Sequence, residues 1–427
     1  MTAATVAAAA YRIDPAATRM TEATTQTTFA SIGTPDDLAA VLEDAGITEP
    51  FPIQEMTIRD ALAGRDITGK AQTGSGKTLA FGIPIVTGLE KAKPHRPRAL
   101  VLVPTRELAT QVAEAISPLL AARGFREIAV YGGAPMKPQI DALEASVELV
   151  IATPGRLIDL IERKKVMLGD IAAVAIDEAD QMADMGFLPQ VKKIMNQIPE
   201  SHQTYLFSAT LDMQVQALID AYLHDPAHHE VESEDPTTET MEHRFLKVHH
   251  MDKAKVTAAI ASGADRTLVF LKTKHGTDRL ARDLRDLGTN ALAIHGDLQQ
   301  RVREKNLARF ASGSAPVLVA TNVAARGLHI EGVDIVVHFD PPDDPKTYVH
   351  RSGRTARAGV EGLVVTLVEW DQVNEVLAIQ RRAGLNVPIV KMFSNDERLA
   401  NLADWEPPEE LTPFKAGSVA RRRRRRF

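Results

Sequence analysis

The sequence contains no cysteine in its 427 residues. Disulfide frameworks and cysteine-based zinc sites are therefore excluded, and a reducing compartment is compatible with the composition. No apolar run approaches the roughly 20 residues that span a membrane. The N-terminal stretch MTAATVAAAAYRIDPAATRM lacks the basic start and the long apolar core of a signal peptide. We therefore expect a cytoplasmic protein.

The charge balance is uneven along the chain. Net charge is −6 at pH 7, with 25% charged and 44% hydrophobic residues, a mixture typical of a soluble globular protein. Averaged over the chain, this charge argues mildly against nucleic-acid binding. The average hides the C-terminal stretch ARRRRRRF. A terminal run of like charges is usually a disordered interaction tail.

Short apolar runs alternate with helical patterns in two separate regions. Residues 1–28 are Ala- and Thr-rich and are expected to be disordered, residues 231–241 are expected to form an acidic linker, and a tail is expected over 391–427. Between them, residues 29–230 contain the runs DITGKA, ALVLVP, EIAVYG, ELVIAT, AAVAID and TYLFSA, and residues 242–390 contain RTLVFL, NALAIH, APVLVA, DIVVHF and GLVVTLVE. Near-continuous apolar strands between amphipathic helices are typical of a parallel sheet covered on both faces. The pattern predicts an α/β chain of two tandem domains.

Polar or glycine residues follow nearly every predicted strand. Because open parallel sheets bind ligands at the carboxyl ends of their strands, the site is expected there. One such segment, AQTGSGKT, follows a strand and opens a helical pattern. Gly74 and Gly76 would let backbone N–H groups cradle phosphates, Lys77 would neutralise them, and the Thr78 hydroxyl would ligate Mg²⁺. Ala71 departs from the strict pattern, which asks for glycine, and the simpler alternative is a flexible turn.

A second segment, AVAIDEADQM, ends a buried strand in three carboxylates. Acidic groups this close repel one another, and they are costly near the core unless a cation compensates. In proteins with a phosphate loop that cation is magnesium, which is held by the acid that ends a second strand. Asp177 is placed for this role and Glu178 for activating the attacking water. An N-cap cluster would explain one acid but not Asp177, which still belongs to the strand.

Together these motifs resemble the DEAD-box family of ATP-dependent RNA helicases, in its bacterial, RhlE-like type, from about Phe29 to Gly359. The resemblance implies two RecA-like domains, an ATPase with Mg²⁺, and coupling of ATP binding and hydrolysis to local duplex unwinding or ribonucleoprotein remodelling. RNA would lie across both domains, bound largely independently of sequence through its backbone and 2′-hydroxyls. Complexes with ribosomes or with the RNA-decay machinery are possible partners by analogy.

The resemblance assigns an ATP site. GITEPFPIQ is similar to the family's Q motif, in which Gln54 would read the adenine edge, and Phe29 stands where an upstream aromatic stacks on the base. The implied ATP-binding residues are Phe29, Gln54, Ala71, Gln72, Thr73, Gly74, Ser75, Gly76, Lys77, Thr78, Gly327 and His329.

The resemblance also assigns an RNA surface. PTRELA, the pair Gly132–Gly133, TPGR, LVFLKTK and ATNVAARGLHI are similar to family segments that contact nucleic acid or line the cleft, and HGDLQQRVR carries Gln300 and Arg303 in a Gln-x-x-Arg pattern. The implied RNA-binding residues are Pro104, Thr105, Arg106, Glu107, Gly132, Gly133, Thr153, Pro154, Gly155, Arg156, Thr273, Thr321 and Arg326.

HRSGRTAR spaces Arg351, Arg354 and Arg357 three apart, on one side of a helical turn or turns. A solvated basic face is the ordinary interpretation. The triphosphate on the other domain offers an anion instead, and the resemblance makes Arg354 and Arg357 arginine fingers. The implied catalytic set is Lys77, Asp177, Glu178, Arg354 and Arg357, with Thr78 and Asp177 on the metal. The implied coupling residues are Asp180, Ser208, Thr210, His350 and Arg351.

The chain departs from the family string at Asn322 and His329, where aspartate is usual. The second aspartate typically contacts the ATP ribose, so His329 either keeps a weaker, pH-dependent contact or points away from the nucleotide. The arginine tail is expected to tether RNA, and an inert terminus is its alternative.

Three rival functions follow from the same residues. A DNA helicase on the same core is disfavoured by the Q motif and PTRELA. An ATP-gated RNA clamp with little unwinding stays open. A purely structural protein would not need Lys77, Glu178 and Arg357 together.

Overall fold

The computed structural model describes residues 27–72, 74–231, 241–325, 333–355, 362–408 and 413. Within these ranges the chain forms two sheets of seven strands each, and every strand pairing in both sheets is parallel. The predicted fold class is confirmed. No helix in these ranges is both long enough and apolar enough to cross a membrane.

The first sheet has the strand order β3-β4-β2-β5-β6-β1-β7. Its strands are β1 (Ile67–Lys70), β2 (Ala99–Leu102), β3 (Glu127–Val130), β4 (Leu149–Ala152), β5 (Ala173–Ile176), β6 (Gln203–Ser208) and β7 (Ala227–Glu230). The helices around it are α1 (Asp36–Asp44), α2 (Pro52–Leu62), α3 (Lys77–Gly88), α4 (Arg106–Ala122), α5 (Met136–Glu144), α6 (Pro154–Glu162), α7 (Ala179–Asp184), α8 (Leu188–Met195) and α9 (Met213–Tyr222).

The second sheet has the order β10-β11-β9-β12-β13-β8-β14. Its strands are β8 (Met241–Lys247), β9 (Thr267–Leu271), β10 (Ala291–Ile294), β11 (Val317–Thr321), β12 (Ile335–His338), β13 (Gly362–Val368) and β14 (Ile389–Lys391). Its helices are α10 (Lys253–Ala261), α11 (Lys274–Asp286), α12 (Gln300–Ala311), α13 (Asn322–Ala325), α14 (Pro345–Ser352) and α15 (Val373–Ala383), and short 3₁₀ turns cover Ala30–Ile32, His250–Asp252 and Glu397–Asn401.

Each sheet is buried on both faces. In β2, Leu100 and Leu102 enter one hydrophobic cluster while Ala99 and Val101 enter another. Successive side chains of a strand point to opposite faces, so each face of this sheet has its own apolar cover. The second sheet repeats the arrangement, and this explains why its strands are apolar without alternation.

Every strand predicted from an apolar run is present, whereas β7, β8 and β14 were missed. β7 and β14 are the outer strands of their sheets, and the polar sequence AHHE of β7 gives no apolar signal. The second domain also extends past the predicted boundary at residue 390. Met392, Leu399 and Leu402 are buried in its core, so the tail begins later than predicted. These three side chains are too widely spaced to produce a periodic pattern.

Several sequence predictions lie outside the described residues. They concern most of the N-terminal extension, nearly all of the linker, the arginine tail, and the individual residues Thr73, Arg326, Gly327, His329 and Arg357.

Candidate active site

The phosphate loop connects β1 to α3 at the carboxyl edge of the first sheet. Gly74 and Gly76 both have φ of 87°, a left-handed conformation that favours glycine. Lys77, the first residue of α3, is 5% exposed, and its Nζ donates to the Ala71 carbonyl at 3.3 Å. The loop therefore uses the backbone oxygen of Ala71, which any residue at this position would provide.

Asp177 directly follows β5, two strands away from β1 in the sheet. Its carboxylate is 3% exposed, and its Oδ1 lies 3.8 Å from Lys77 Nζ. Burial raises the pKa of Asp177 to about 6, although the charge of Lys77 acts in the opposite direction. One lysine thus compensates this carboxylate only partly, and a divalent cation would favour its ionised form.

The donor set suits Mg²⁺. Asp177 offers a carboxylate and Thr78 a hydroxyl, which are hard oxygen ligands. Among the described residues, no group of three or more His, Asp or Glu side chains is arranged to hold a metal. An ion here would take most of its ligands from water and nucleotide phosphates, the coordination that Mg²⁺ prefers.

The remaining acids of the DEAD segment are buried and have different environments. Glu178 is 6% exposed with φ of 53°, an uncommon conformation for a residue other than glycine. Asp180 links α7 to the segment after β6. Its Oδ2 accepts from both the N–H and the hydroxyl of Thr210 at 3.2 Å, and its own N–H donates to Ser208 Oγ at 3.1 Å. The predicted coupling residues of the first domain thus form one hydrogen-bonded group.

Gln54 joins the start of α2 to the phosphate loop. Its Nε2 donates to the Gly76 carbonyl at 2.8 Å, and its Oε1 accepts from the Phe51 N–H at 2.8 Å. Phe51 was missed by the sequence analysis. Its ring is 53% exposed, and its Cδ2 lies 2.7 Å from where a Cβ on Gly76 would stand. An exposed aromatic ring therefore flanks the phosphate loop.

Phe29, the predicted base-stacking residue, is only 3% exposed and packs in the first hydrophobic cluster. Its assignment stays a prediction, and stacking on a base would require the ring to leave this packing. An aromatic residue before a helix-initiating proline suggests only a helix boundary, so no signal in the sequence singled out Phe51.

Most residues predicted to contact RNA in the first domain lie after β2, β3 and β4. Arg106 Nη1 lies 2.6 Å from the position of a Cβ on Gly133, so the guanidinium covers that glycine. Arg156 donates to the Ala134 carbonyl and to Gln139 Oε1, each at 3.2 Å. These cations are thereby held at one edge of the sheet. Pro104 and Pro154 are buried there, Thr105 caps α4, Thr153 is half-buried, and Gly132 and Gly155 are exposed.

Glu107 faces the second domain. Its Oε1 lies 2.8 Å from Arg303 Nη2, and the two side chains are 9% and 6% exposed. Arg303 comes from α12, so the Gln-x-x-Arg pattern reaches the PTRELA segment directly. Of the predicted contacts in the second domain, Thr273 is exposed and caps α11 at 3.1 Å, and Thr321 ends β11 at 7% exposure.

The arginine-rich segment follows α14. Arg351 is 3% exposed; it donates to Asn322 Oδ1 at 2.5 Å and to the Asp340 carbonyl at 2.8 Å. A solvated basic face is thereby excluded for Arg351. α14 ends at Ser352, so the half-buried Arg354 lies in the following turn and not on the helix, contrary to the predicted helical alignment. His350 is on the last turn of α14.

Two family models match the chain. The model described as DEAD/DEAH box helicase matches residues 51–218, and the helicase conserved C-terminal domain matches residues 251–359. The chain is 40% identical over 377 residues to the DEAD-box ATP-dependent RNA helicase CshA of Bacillus cereus, with 87% of this chain and 71% of the relative covered. It is 38% identical over 376 residues to CshA of Bacillus subtilis, covering 87% and 76%.

A solved structure, S. cerevisiae Dbp5 bound to RNA and ADP BeF3, is similar with a TM-score of 0.73 and 27% identity, over 88% of this chain and 99% of that one. The RhlE-like subtype stays a prediction. The fold, the phosphate loop beside a buried strand-end aspartate, and these likenesses agree with one another. The chain belongs to the DEAD-box family of ATP-dependent RNA helicases.

Proposed function

We propose that the protein is an RNA-stimulated ATPase that separates short duplexes or remodels ribonucleoproteins as its two domains close on ATP and RNA. The observation that carries this proposal is Lys77 Nζ lying 3.8 Å from the buried Asp177 carboxylate, at the edge where β1 and β5 end. A phosphate-binding lysine beside a metal-binding carboxylate is the arrangement that phosphoryl transfer requires. The relatives' names and the RNA-bound state of the similar structure support RNA as the partner.

Asp177 and Thr78 would hold Mg²⁺, which neutralises phosphate charge when bound. Glu178 is positioned by its left-handed backbone next to Asp177 and would orient and deprotonate the attacking water. Lys77 would bind the β- and γ-phosphates, and Arg354 with Arg357 would stabilise charge on the transferred phosphoryl group from the other domain. ATP and RNA would each favour closure, so each should tighten binding of the other.

Gln54 and Phe51 would form the base pocket. The Gln54 amide can read a purine edge by exchanging its contact with the Gly76 carbonyl, and the exposed ring of Phe51 can stack on the base. The edge carrying Arg106, Gly133 and Arg156 would bind RNA phosphates and sugars, which gives low sequence selectivity.

The proposal extends to the cell and to the chain's organisation. We place the protein in the cytoplasm, with a first domain over residues 29–230 and a second domain from β8 through the buried Leu402. The arginine tail would tether RNA near the core.

The deciding experiment measures ATP hydrolysis by the purified chain alone, with single-stranded RNA, and with single-stranded DNA of the same sequence. We expect stimulation by RNA and little by DNA. A labelled duplex then separates the two remaining functions, because a clamp would retain RNA in the presence of ATP without releasing the shorter strand. Equal stimulation by RNA and DNA would contradict the proposal.

A further inference from the structure

One lysine of the second domain contacts two carboxylates of the first. Lys346 is on the first turn of α14, and its Nζ lies 3.2 Å from Asp184 Oδ1 and 3.3 Å from Asp212 Oδ2. Asp184 ends α7, the helix that follows the DEAD carboxylates, and Asp212 precedes α9, just after Ser208–Thr210. We call this pair of contacts the Lys346 bridge.

Asp212 has two separate tasks. Its Oδ1 caps α9 by accepting from the N–H groups of Gln214 at 3.0 Å and Val215 at 3.1 Å. Its Oδ2 is the atom that faces Lys346. The cap of α9 therefore uses Asp212 Oδ1 and does not depend on Lys346. The bridge thus adds an interaction that exists only when the domains are docked.

The surroundings of Lys346 are acidic. Burial acts to lower the pKa of Lys346, but Asp184, Asp180 and Asp212 together raise it above its ordinary value. Burial raises the pKa of Asp212, but the Val215 N–H and Lys346 outweigh burial and hold this pKa below its usual range. Lys346 and Asp212 are therefore both charged at neutral pH.

The bridge lies at the start of the helix that leads to the arginine-bearing turn. α14 carries Lys346 at its start and His350 and Arg351 at its end, and Arg354 follows. A rigid helix of eight residues transmits the position of its first turn to its last. Arg351 is anchored within the second domain by Asn322 and Asp340, whereas Lys346 makes ionic contacts with the first domain.

We propose that Lys346 is a positioning residue, whose bridge to Asp184 and Asp212 holds α14 against the first domain and makes domain closure sensitive to ionic strength. This inference rests on the proposed function, in which closure brings Arg354 to the nucleotide. Both carboxylates and the lysine are partly exposed, at 26%, 40% and 31%. Pairs of this exposure are individually weak, so we expect about a 3- to 10-fold effect on closure from losing both.

The test uses the full chain, whose lack of cysteine allows two dye sites to be introduced cleanly. Glu114→Cys on α4 and Arg279→Cys on α11 place dyes on exposed positions of the two domains. Energy transfer with RNA and a non-hydrolysable ATP analogue then reports closure. RNA-stimulated kcat and the KM for RNA are measured in parallel, at about 50 mM and about 300 mM salt.

Lys346→Gln removes the charge while keeping most of the side-chain length, and we expect a lower closed fraction and a higher KM for RNA at low salt. Lys346→Glu should be worse because it faces Asp184 and Asp212, and adding Asp184→Lys should restore part of the loss by reversing one pair. High salt should reduce the difference between wild type and Lys346→Gln, because exposed pairs are screened.

Unchanged closure and KM in Lys346→Gln would overturn the inference, as would the absence of rescue by Asp184→Lys. Lys137→Gln is the matched control, because Lys137 forms an exposed ion pair with Asp141 inside one helix. If wild type shows no RNA stimulation at all, the proposed function fails, whereas energy transfer still decides whether Lys346 holds the domains together.

Discussion

Replacing His338 should remove a specific part of the acid sensitivity of the second domain. His338 ends β12, is 0% exposed, and faces Tyr348, whose ring centroid is 4.9 Å away. Burial, together with the charge of Arg351 and the neighbouring His243, holds the pKa of His338 well below its usual 6.5. The folded domain thus keeps this imidazole neutral at a pH where the unfolded chain protonates it.

The sign of the effect follows from proton linkage. Below pH 6.5 the unfolded chain binds a proton that the folded chain does not, so the free energy of unfolding falls as pH falls. A single group contributes about 1.4 kcal/mol per pH unit in this window. Between about pH 7.5 and about pH 5.5, wild type should therefore lose about 1.4 kcal/mol more than His338→Phe, in which this position does not titrate.

Urea unfolding followed by tryptophan fluorescence measures this difference. Both tryptophans of the chain, Trp370 and Trp405, belong to the second domain, so the signal reports the domain that contains His338. Phenylalanine leaves Thr366 Oγ1 without its 3.2 Å contact to His338 Nδ1. Loss of this contact lowers the free energy of unfolding by the same amount at every pH, so it does not affect the pH dependence. His275→Gln, at an exposed position, is the control. Parallel pH profiles for wild type and His338→Phe would refute the reasoning.

Four further predictions concern the site. Glu178→Gln should retain ATP and RNA binding and lose nearly all turnover, because Asp177 remains while the proposed base is gone; an unchanged kcat would contradict this role. Phe51→Ala should weaken ATP binding about 5- to 50-fold without weakening binding of inorganic tripolyphosphate, which has no base, and calorimetry with both ligands decides between stacking and a disturbed loop. Deleting residues 415–427 should lower RNA affinity and flatten its salt dependence, whereas indistinguishable binding at low and moderate salt means that the tail is inert. If His329 contacts the ribose, the KM for ATP should rise from about pH 8 to about pH 6 in wild type but not in His329→Asp; parallel profiles would place it away from the nucleotide.

The sequence predicts those elements whose conformation depends on residues that are adjacent in the chain. Apolar runs located every strand except β7, β8 and β14, and glycine spacing placed the loop before Lys77, since backbone conformation there depends on adjacent residues. The imperfect match at Ala71 had no structural consequence because its carbonyl forms the contact.

Contacts between distant segments could not be predicted in the same way. Lys346 is separated by 162 residues from Asp184 and by 134 from Asp212, and no pattern links these positions before the chain folds. Phe51 becomes a candidate binding residue only once α2 packs beside Gly76. The role of Met392, Leu399 and Leu402 depends on a core assembled mostly from earlier residues.

That late contribution to the second core affects the order of folding during synthesis. The strands of the first sheet are complete at Glu230, so the first domain can form its core while the rest of the chain is still being made. The core of the second domain is complete only with Leu402, and the 3₁₀ turn before it packs the carbonyl of Ala400 closely against Gly263, just after α10. A nascent chain paused before residue 392 would carry a finished nucleotide-binding half and an incomplete partner with exposed apolar surface. Such a chain would be a substrate for chaperones and not yet a helicase.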